Sequence, residues 1–322
     1  MRVVVTGGAG FIGSNLVRAL AERGDDVVAV DNLVTGRREH LDDLLDASGV
    51  SLVVCDIVTQ PDDLPDLFRG AEAVVHLAAN ADVRYGLQQP RSDLEQNVIG
   101  THNVLEAVRH TGVDQLVFSS TGSIYGESEV IPTPEDAPFP VQTSLYGASK
   151  LACEGFVAAY TEGFGINATV YRFVSILGRA YWHGHVRDFV DQLIEHPDHL
   201  HILGDGKQRK SYLEVTDCAD AIVGRLGRAR GFEVFNLGVR DYCTVDESAG
   251  WICERLGVDP RRTYSGGRRG WVGDNPFIFL DTTRIEATGW HPRFTIREAV
   301  ERTVDSLVAH QAVRRSAGGS SQ

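Results

Sequence analysis

The chain has 322 residues, 43% of them hydrophobic and 23% charged, with a net charge of −13. This composition describes a globular chain long enough for one nucleotide-binding domain and a smaller second lobe, and it excludes a disordered one. The acidic balance argues against nucleic acid as a partner, while leaving room for a small phosphate-bearing ligand in a local pocket.

The first half alternates apolar strand runs with amphipathic helical patterns. Strands are expected at Val3–Thr6, Val27–Val30, Leu52–Cys55, Ala73–Leu77 and Gln115–Ser119, and helices at Ile12–Arg23, Leu64–Arg69 and Asn97–His110. A sixth strand, Ala168–Phe173, comes after a helix expected over Leu145–Glu162. This alternation predicts an α/β fold: a Rossmann-type doubly wound parallel sheet with helices on both faces, and a smaller C-terminal α/β substrate lobe. Residues 1–177 form the expected nucleotide-binding domain and 178–313 mainly the second lobe, with later segments returning to the first domain. A last helix is expected near Ile296–His310, and the Ser/Gly-rich stretch 314–322 is expected to be disordered.

Five cysteines, at 55, 153, 218, 243 and 253, form no Cys-x-x-Cys pair and read as buried free thiols in a reducing compartment. No metal site is expected. No apolar run approaches a membrane span. The N-terminus enters a strand directly, so a cytoplasmic protein is expected.

Gly7-Gly8-Ala9-Gly10-Phe11-Ile12-Gly13 lies directly after the first strand and opens the first helix. Glycines at 7, 10 and 13 permit a tight turn, close approach to a pyrophosphate and close helix packing. The helix N-terminus then offers free N–H groups to the phosphates. In this strand–turn–helix context a dinucleotide site is expected rather than a flexible turn. Asp31 ends the second strand. A carboxylate there accepts ribose hydroxyls and repels a 2′-phosphate, which favours NAD over NADP, although Arg37 and Arg38 lie nearby.

Tyr146-Gly147-Ala148-Ser149-Lys150 places a phenol and an ammonium one turn apart on one helix face. The ammonium, with the positive nicotinamide, favours a phenolate able to exchange a proton with an alcohol. Only three lysines occur among 31 basic residues (Lys150, Lys207 and Lys210), so a retained lysine carries extra weight. A hydroxyl-rich stretch, Ser119-Ser120-Thr121-Gly122-Ser123, leaves the fifth strand at its carboxyl end, where ligands bind in such folds. In isolation that stretch would read as an ordinary turn.

Taken as a set, Gly7–Gly13, Asp31-Asn32 with Thr35-Gly36, Asp56-Ile57, His76-Leu77-Ala78-Ala79, Asn97-Val98-Ile99-Gly100-Thr101, the Ser/Thr loop, Tyr146–Lys150 and Gly204-Asp205-Gly206-Lys207-Gln208 resemble the extended short-chain dehydrogenase/reductases. Within these the chain is most similar to the UDP-glucose 4-epimerase group. The resemblance implies that Thr121, Tyr146 and Lys150 are catalytic. It implies cofactor contacts from Gly7, Gly10, Phe11, Ile12, Gly13, Asp31, Asn32, Thr35, Gly36, Leu77, Ala78, Ala79, Asn97, Ser119 and Phe173, with Asp56 and Ile57 flanking the adenine. It also implies a homodimer.

Dehydratases of this family resemble one another in an acidic pair after the threonine, and related uronate decarboxylases carry a Glu in the loop. This chain has Gly122-Ser123, which favours C4 epimerisation of a UDP-sugar through a transient 4-keto intermediate. A nucleotide-sugar ketoreductase or dehydratase is the alternative, and a non-catalytic dinucleotide sensor a remote one. By resemblance His201 and Leu203 present backbone groups to the uracil, Lys210 and Arg269 face the diphosphate, and Asp274 meets a ribose. Ser175 stands where the family usually has Asn, and the stretch from Tyr181 through His185, Val186 and Arg187 replaces the usual loop by the sugar. Asp82–Gly86 resembles a segment of UDP-glucuronate enzymes. Arg84, Ser123, Ser175 and Arg187 are therefore expected to serve a C6 carboxylate, so that a UDP-hexuronate is accepted at least as well as a UDP-hexose. Ion pairing of Arg84 and Arg187 within the protein is the equal alternative.

Overall fold

A computed structural model describes residues 1–45, 49–139, 141–271 and 273–318, with side chains described as far as residue 311. Seven parallel strands form the central sheet: β1 (Arg2–Thr6), β2 (Asp26–Asp31), β3 (Val50–Val54), β4 (Ala73–His76), β5 (Gln115–Thr121), β6 (Asn167–Phe173) and a late strand, β11 (Phe232–Leu237). Their order is β11-β6-β5-β4-β1-β2-β3. The first four expected strands, and the sixth, are found within a few residues of their predicted limits; β5 runs two residues further, to Thr121.

The strands read as near-continuous apolar runs because both faces are covered. Val3, Val5, Val27 and Ala29 pack on one face against Leu16, Val17 and Leu20 of α1 (Phe11–Glu22). Val4, Val28, Val30 and Val74 pack on the other, against Leu105 and Val108 of α2 (Gly100–Thr111) and Cys153 and Val157 of α3 (Leu145–Phe164). The order reverses between β1 and β4, so their carboxyl ends open a crevice at the point where ligands bind in such sheets.

The helix expected from Asn97 begins differently. Residues Asp93–Ile99 form a π-helical segment that runs into α2. Helix α3 is capped by Ser144, whose side chain accepts a hydrogen bond from the Gly147 N–H, and stops at Gly165 in the left-handed conformation.

After β6 the chain builds four short strands, β7 (Ser175–Leu177), β8 (His199–Ile202), β9 (Arg209–Lys210) and β10 (Tyr212–Glu214), with helices α4 (His185–Glu195) and α5 (Val215–Arg225). It then returns to the main sheet as β11, in parallel register with β6 from Phe232↔Ala168 to Leu237↔Phe173. A capping box at Thr244 and Glu247 opens α6 (Val245–Leu256). The last helix, α7, spans Ile296–Gly318. The helix thus extends through 314–318 of the Ser/Gly-rich stretch, and 319–322 lie outside the described residues.

Candidate active site

The glycine turn fits a dinucleotide pyrophosphate. Gly7 adopts φ 70°. A Cβ on Gly13 would lie 2.0 Å from the Gly7 carbonyl oxygen, so helix and turn are in backbone contact there. Gly10 caps α1 without a side-chain hydrogen bond, and no acidic residue occupies the first turn. The N–H groups of Phe11, Ile12 and Gly13 therefore face outward with the positive end of the helix dipole.

Asp31 is 7% exposed and accepts hydrogen bonds from the N–H of Ala9 at 3.0 Å and of Leu33 at 2.8 Å. It thus ties the glycine turn to the end of β2, and each oxygen keeps a lone pair for a ribose hydroxyl. Gly36 packs against this carboxylate, and a Cβ there would lie 2.5 Å from Oδ1. Thr35 is exposed beside it. The Asn32 amide donates to Asp56 at 2.8 Å, and Ile57 is buried next to them, which makes one wall at the expected adenine position. Arg37 and Arg38 form surface ion pairs with Glu39 and Asp42.

Leu77, Ala78 and Ala79 continue β4 toward the turn. The Leu77 N–H donates to the Thr6 carbonyl, and Ala78 packs on Gly7. His76 is held between the hydroxyls of Thr6 (2.7 Å) and Thr101 (3.0 Å), and burial lowers its pKa to about 3, so it stays neutral. Ser119 donates to the His76 carbonyl, and Phe173 is buried at the end of β6.

The three expected catalytic residues converge at the end of β5 and the start of α3. Thr121 accepts from the Ser123 N–H at 3.1 Å and its hydroxyl donates to the Ser123 hydroxyl at 3.2 Å, fixing the loop conformation. The Tyr146 phenol interacts with Thr121. Lys150 is 2% exposed and donates to the Ser119 carbonyl at 2.9 Å.

The protein's own groups act on this pair as follows. Burial pushes the Tyr146 phenol up to about 12, and only the Thr121 hydroxyl acts against it. Burial also lowers Lys150 to about 8. The Lys150 ammonium is turned toward the Ser119 carbonyl.

A buried ion pair stands behind the loop. Arg172 meets Glu154 at 2.7 Å, donates to the Tyr125 hydroxyl at 2.6 Å and caps the Glu135 carbonyl. Tyr125 in turn donates to Asn236 on β11 at 2.9 Å. Sequence reasoning missed this network, although Glu154 shares the helix face of Tyr146 and Lys150 at a spacing of four.

The residues expected on the sugar and nucleotide fare unevenly. Arg84 lies 3.6 Å from both Asp82 and Asp188, and Arg187 pairs with Asp191 at 2.8 Å, so both arginines are ion-paired within the protein. Ser175 is exposed on β7. The Val186 side chain is fully buried in the core, which removes it as a side-chain contact. His185 is locked between Ser248 (2.7 Å) and the Tyr212 hydroxyl (3.1 Å), stacks on Tyr212, and burial lowers its pKa to about 3. The backbone N–H and carbonyl of His201, expected to meet the uracil, are both bonded to the Gln192 side chain. The Leu203 carbonyl accepts from Gln208.

Lys210 donates to Asp274 at 2.7 Å and to the Asn275 carbonyl at 2.8 Å. Arg269 and its neighbour Arg268 both pair with Glu127. The two cations expected at the diphosphate therefore lie against carboxylates of their own chain. A cavity of about 350 Å³ adjoins Glu127, Lys207, Arg209 and Arg268, and contains none of the three catalytic residues.

Comparison with known proteins identifies the family. A model of the NAD dependent epimerase/dehydratase family matches residues 3–238. The chain belongs to that family. It is 36% identical over 321 residues to a dTDP-glucose 4,6-dehydratase of Mycobacterium tuberculosis, covering 95% of this chain and 92% of the relative. It is 34% identical over 313 residues to the UDP-glucose 4-epimerase of Mycolicibacterium smegmatis, covering 95% and 98%. Among solved structures, the UDP-glucose 4-epimerase of Thermotoga maritima with UDP-glucose superposes with a TM-score of 0.87, at 31% identity, over 97% of this chain and all of that one. Membership makes the enzyme NAD-dependent, in accord with the glycine turn and Asp31.

Proposed function

We propose that this enzyme is a cytoplasmic UDP-sugar 4-epimerase acting on a neutral hexose. One observation carries the reaction type: Thr121 and Tyr146 meet at the site, and the loop continues from Thr121 through Gly122, Ser123, buried Ile124 and buried Tyr125. No carboxylate stands in that loop to remove or add a proton at C5 or C6, so elimination lacks its acid and base. The five buried free thiols support a reducing compartment.

When bound, NAD supplies a hydride acceptor at C4, a hydride donor for the return step, and a positive charge that favours the phenolate. Tyr146 takes the O4 proton with Thr121 bridging, and gives it back after the sugar has presented its other face. Lys150 contributes its charge and two unused ammonium donors beside the site.

A specific observation favours the hexose over the hexuronate, against the expectation drawn from Asp82–Gly86. Both arginines proposed for a C6 carboxylate are already paired, and the partners of Arg84, Asp82 and Asp188, would face the incoming charge. A carboxylate buried without free donors is strongly disfavoured. UDP-glucose and UDP-galactose should interconvert with no added reductant, and kcat/KM for UDP-glucuronate should be lower by about tenfold or more, the cost of roughly 1.4 kcal/mol. Nuclear magnetic resonance of the products decides. Equal or better use of UDP-glucuronate would overturn the hexose assignment, stoichiometric consumption of reduced cofactor would make the enzyme a ketoreductase, and a 4-keto-6-deoxy product would make it a dehydratase.

The homodimer is part of the same proposal. Leu94, Ile99 and Phe156, on the π-helical segment and α3, are exposed apolar side chains on neighbouring elements. A second copy covering them removes that surface from water. Sedimentation should give twice the 35.2 kDa chain mass, and Phe156→Glu should halve it; a monomeric wild type refutes the pairing.

A further inference from the structure

Asp93 is a buried carboxylate that the proposed chemistry leaves without a task. It opens the π-helical segment and is 2% exposed. Its Oδ1 accepts from the Asn80 amide at 2.9 Å and from the Asn97 amide at 3.3 Å. Its Oδ2 is buried and has no hydrogen-bond partner among the described residues. That oxygen lies against Gly86, where a Cβ would sit 2.2 Å from it and 3.7 Å from the Cβ of Leu145. The carboxylate is therefore lodged beside the first turn of α3, one residue from Tyr146.

Burying an unpaired carboxylate is costly, and packing alone would be met by a neutral side chain of the same size. Two connections give the charge a use. The Asn97 amide that touches Asp93 also donates to the Ser149 hydroxyl at 2.8 Å, and Ser149 donates to the Tyr146 carbonyl at 2.8 Å. The second connection is electrostatic. Burial disfavours the Lys150 ammonium, and the groups acting against this are Cys153, Glu154 and Asp93. Burial pushes the Cys153 thiol up, so it is neutral. Glu154 is cancelled by Arg172 at 2.7 Å. Asp93 is the negative charge left uncancelled.

We propose that Asp93 is a positioning residue of the catalytic pair, keeping Lys150 an ammonium inside the buried site and fixing the first turn of α3 through Asn97 and Ser149. This rests on the epimerase reading above. The groups that face it are Asn80 and Asp82 from the turn before Gly86, Asn97 from the π-helical segment, and Tyr146 and Lys150 from α3. Burial pushes the Asp93 carboxyl up and Asp82 adds to this, while Asn80 and Lys150 act to keep it ionised.

Asp93 raises the pKa of both Lys150 and Tyr146, so removing its charge lowers both. In NAD-loaded enzyme, Asp93→Asn should move the pH profile of kcat/KM for UDP-glucose to lower pH by about 0.5–1 unit, with NAD content unchanged. Ser149→Ala keeps the charge and cuts the link. It should lower kcat about threefold to tenfold and leave the profile at its wild-type position. A D93N profile that superimposes on the wild type overturns the electrostatic role, and S149A at wild-type kcat overturns the positioning role, a reading that survives if D93N is insoluble. A wild type that does not epimerise overturns the epimerase reading instead. The pH dependence of NAD reduction by UDP-glucose then gives the same comparison without product formation.

Discussion

Replacing Tyr146 by Phe should lower kcat by roughly 10²–10⁴-fold, the usual worth of a general acid–base group, while bound NAD is retained. The ring stays and only the oxygen that meets Thr121 is removed. Thr121→Val should lose activity on a similar scale, because the valine keeps the shape without the hydroxyl, whereas Thr121→Ser keeps the donor and acceptor and should stay within a few-fold of wild type. Steady-state epimerisation, with NAD assayed in the supernatant of denatured protein, checks both. A Y146F enzyme within about threefold of wild type would remove the phenol from the mechanism.

The second large effect is expected at Gly13. A methyl group there would lie 2.0 Å from the Gly7 carbonyl oxygen and 2.9 Å from the Gly8 Cα, all backbone atoms that no rotamer change can clear. The turn must shift away from α1, and the outward N–H groups shift with it. Overpacking of this kind typically costs about 1–3 kcal/mol, which corresponds to a loss of NAD affinity of about 5- to 150-fold. Wild-type protein should carry NAD through gel filtration, since the reaction regenerates it, and Gly13→Ala should come off largely empty. Full occupancy of the variant would show that the turn is not the pyrophosphate cradle.

The nucleotide-binding half was legible because parallel strands covered on both faces appear as short unbroken apolar runs, such as Val3–Thr6 and Ala73–His76. The glycine turn and Tyr146–Lys150 were legible because their chemistry is local, within seven residues and within five. Long-range partners were not. Lys210 meets Asp274 across 64 positions, and Glu127 meets Arg268 and Arg269 across more than 140. No spacing rule marks such pairs, so these cations looked free for a ligand. Arg84 and Arg187 differ from these: Arg187 pairs with Asp191 one helical turn on and Arg84 with Asp82 two positions back, the ion pairing held open in the sequence reading. The phase of α4 was not legible either: its first turn points the Val186 side chain into the core and leaves Arg187 partly exposed. The π-helical segment left no periodic trace, and Asp93, four positions before Asn97, precedes the expected helix and belongs to no recognised motif.

The late return of β11 to the edge of β6 has a consequence for the biosynthesis of the chain. Until Leu237 has left the ribosome, the backbone of β6 from Asn167 to Phe173 has no neighbour on one side, and Arg172 and Tyr125 lack the Asn236 end of their network. A nascent chain that has already folded its first six strands therefore carries an open apolar edge while the whole of β7 to α5 is being translated. Such an edge is a template for pairing with another chain. The sheet is completed only after the intervening lobe exists, which makes the nucleotide-binding half a poor candidate for expression as a fragment and a natural client for chaperones during synthesis.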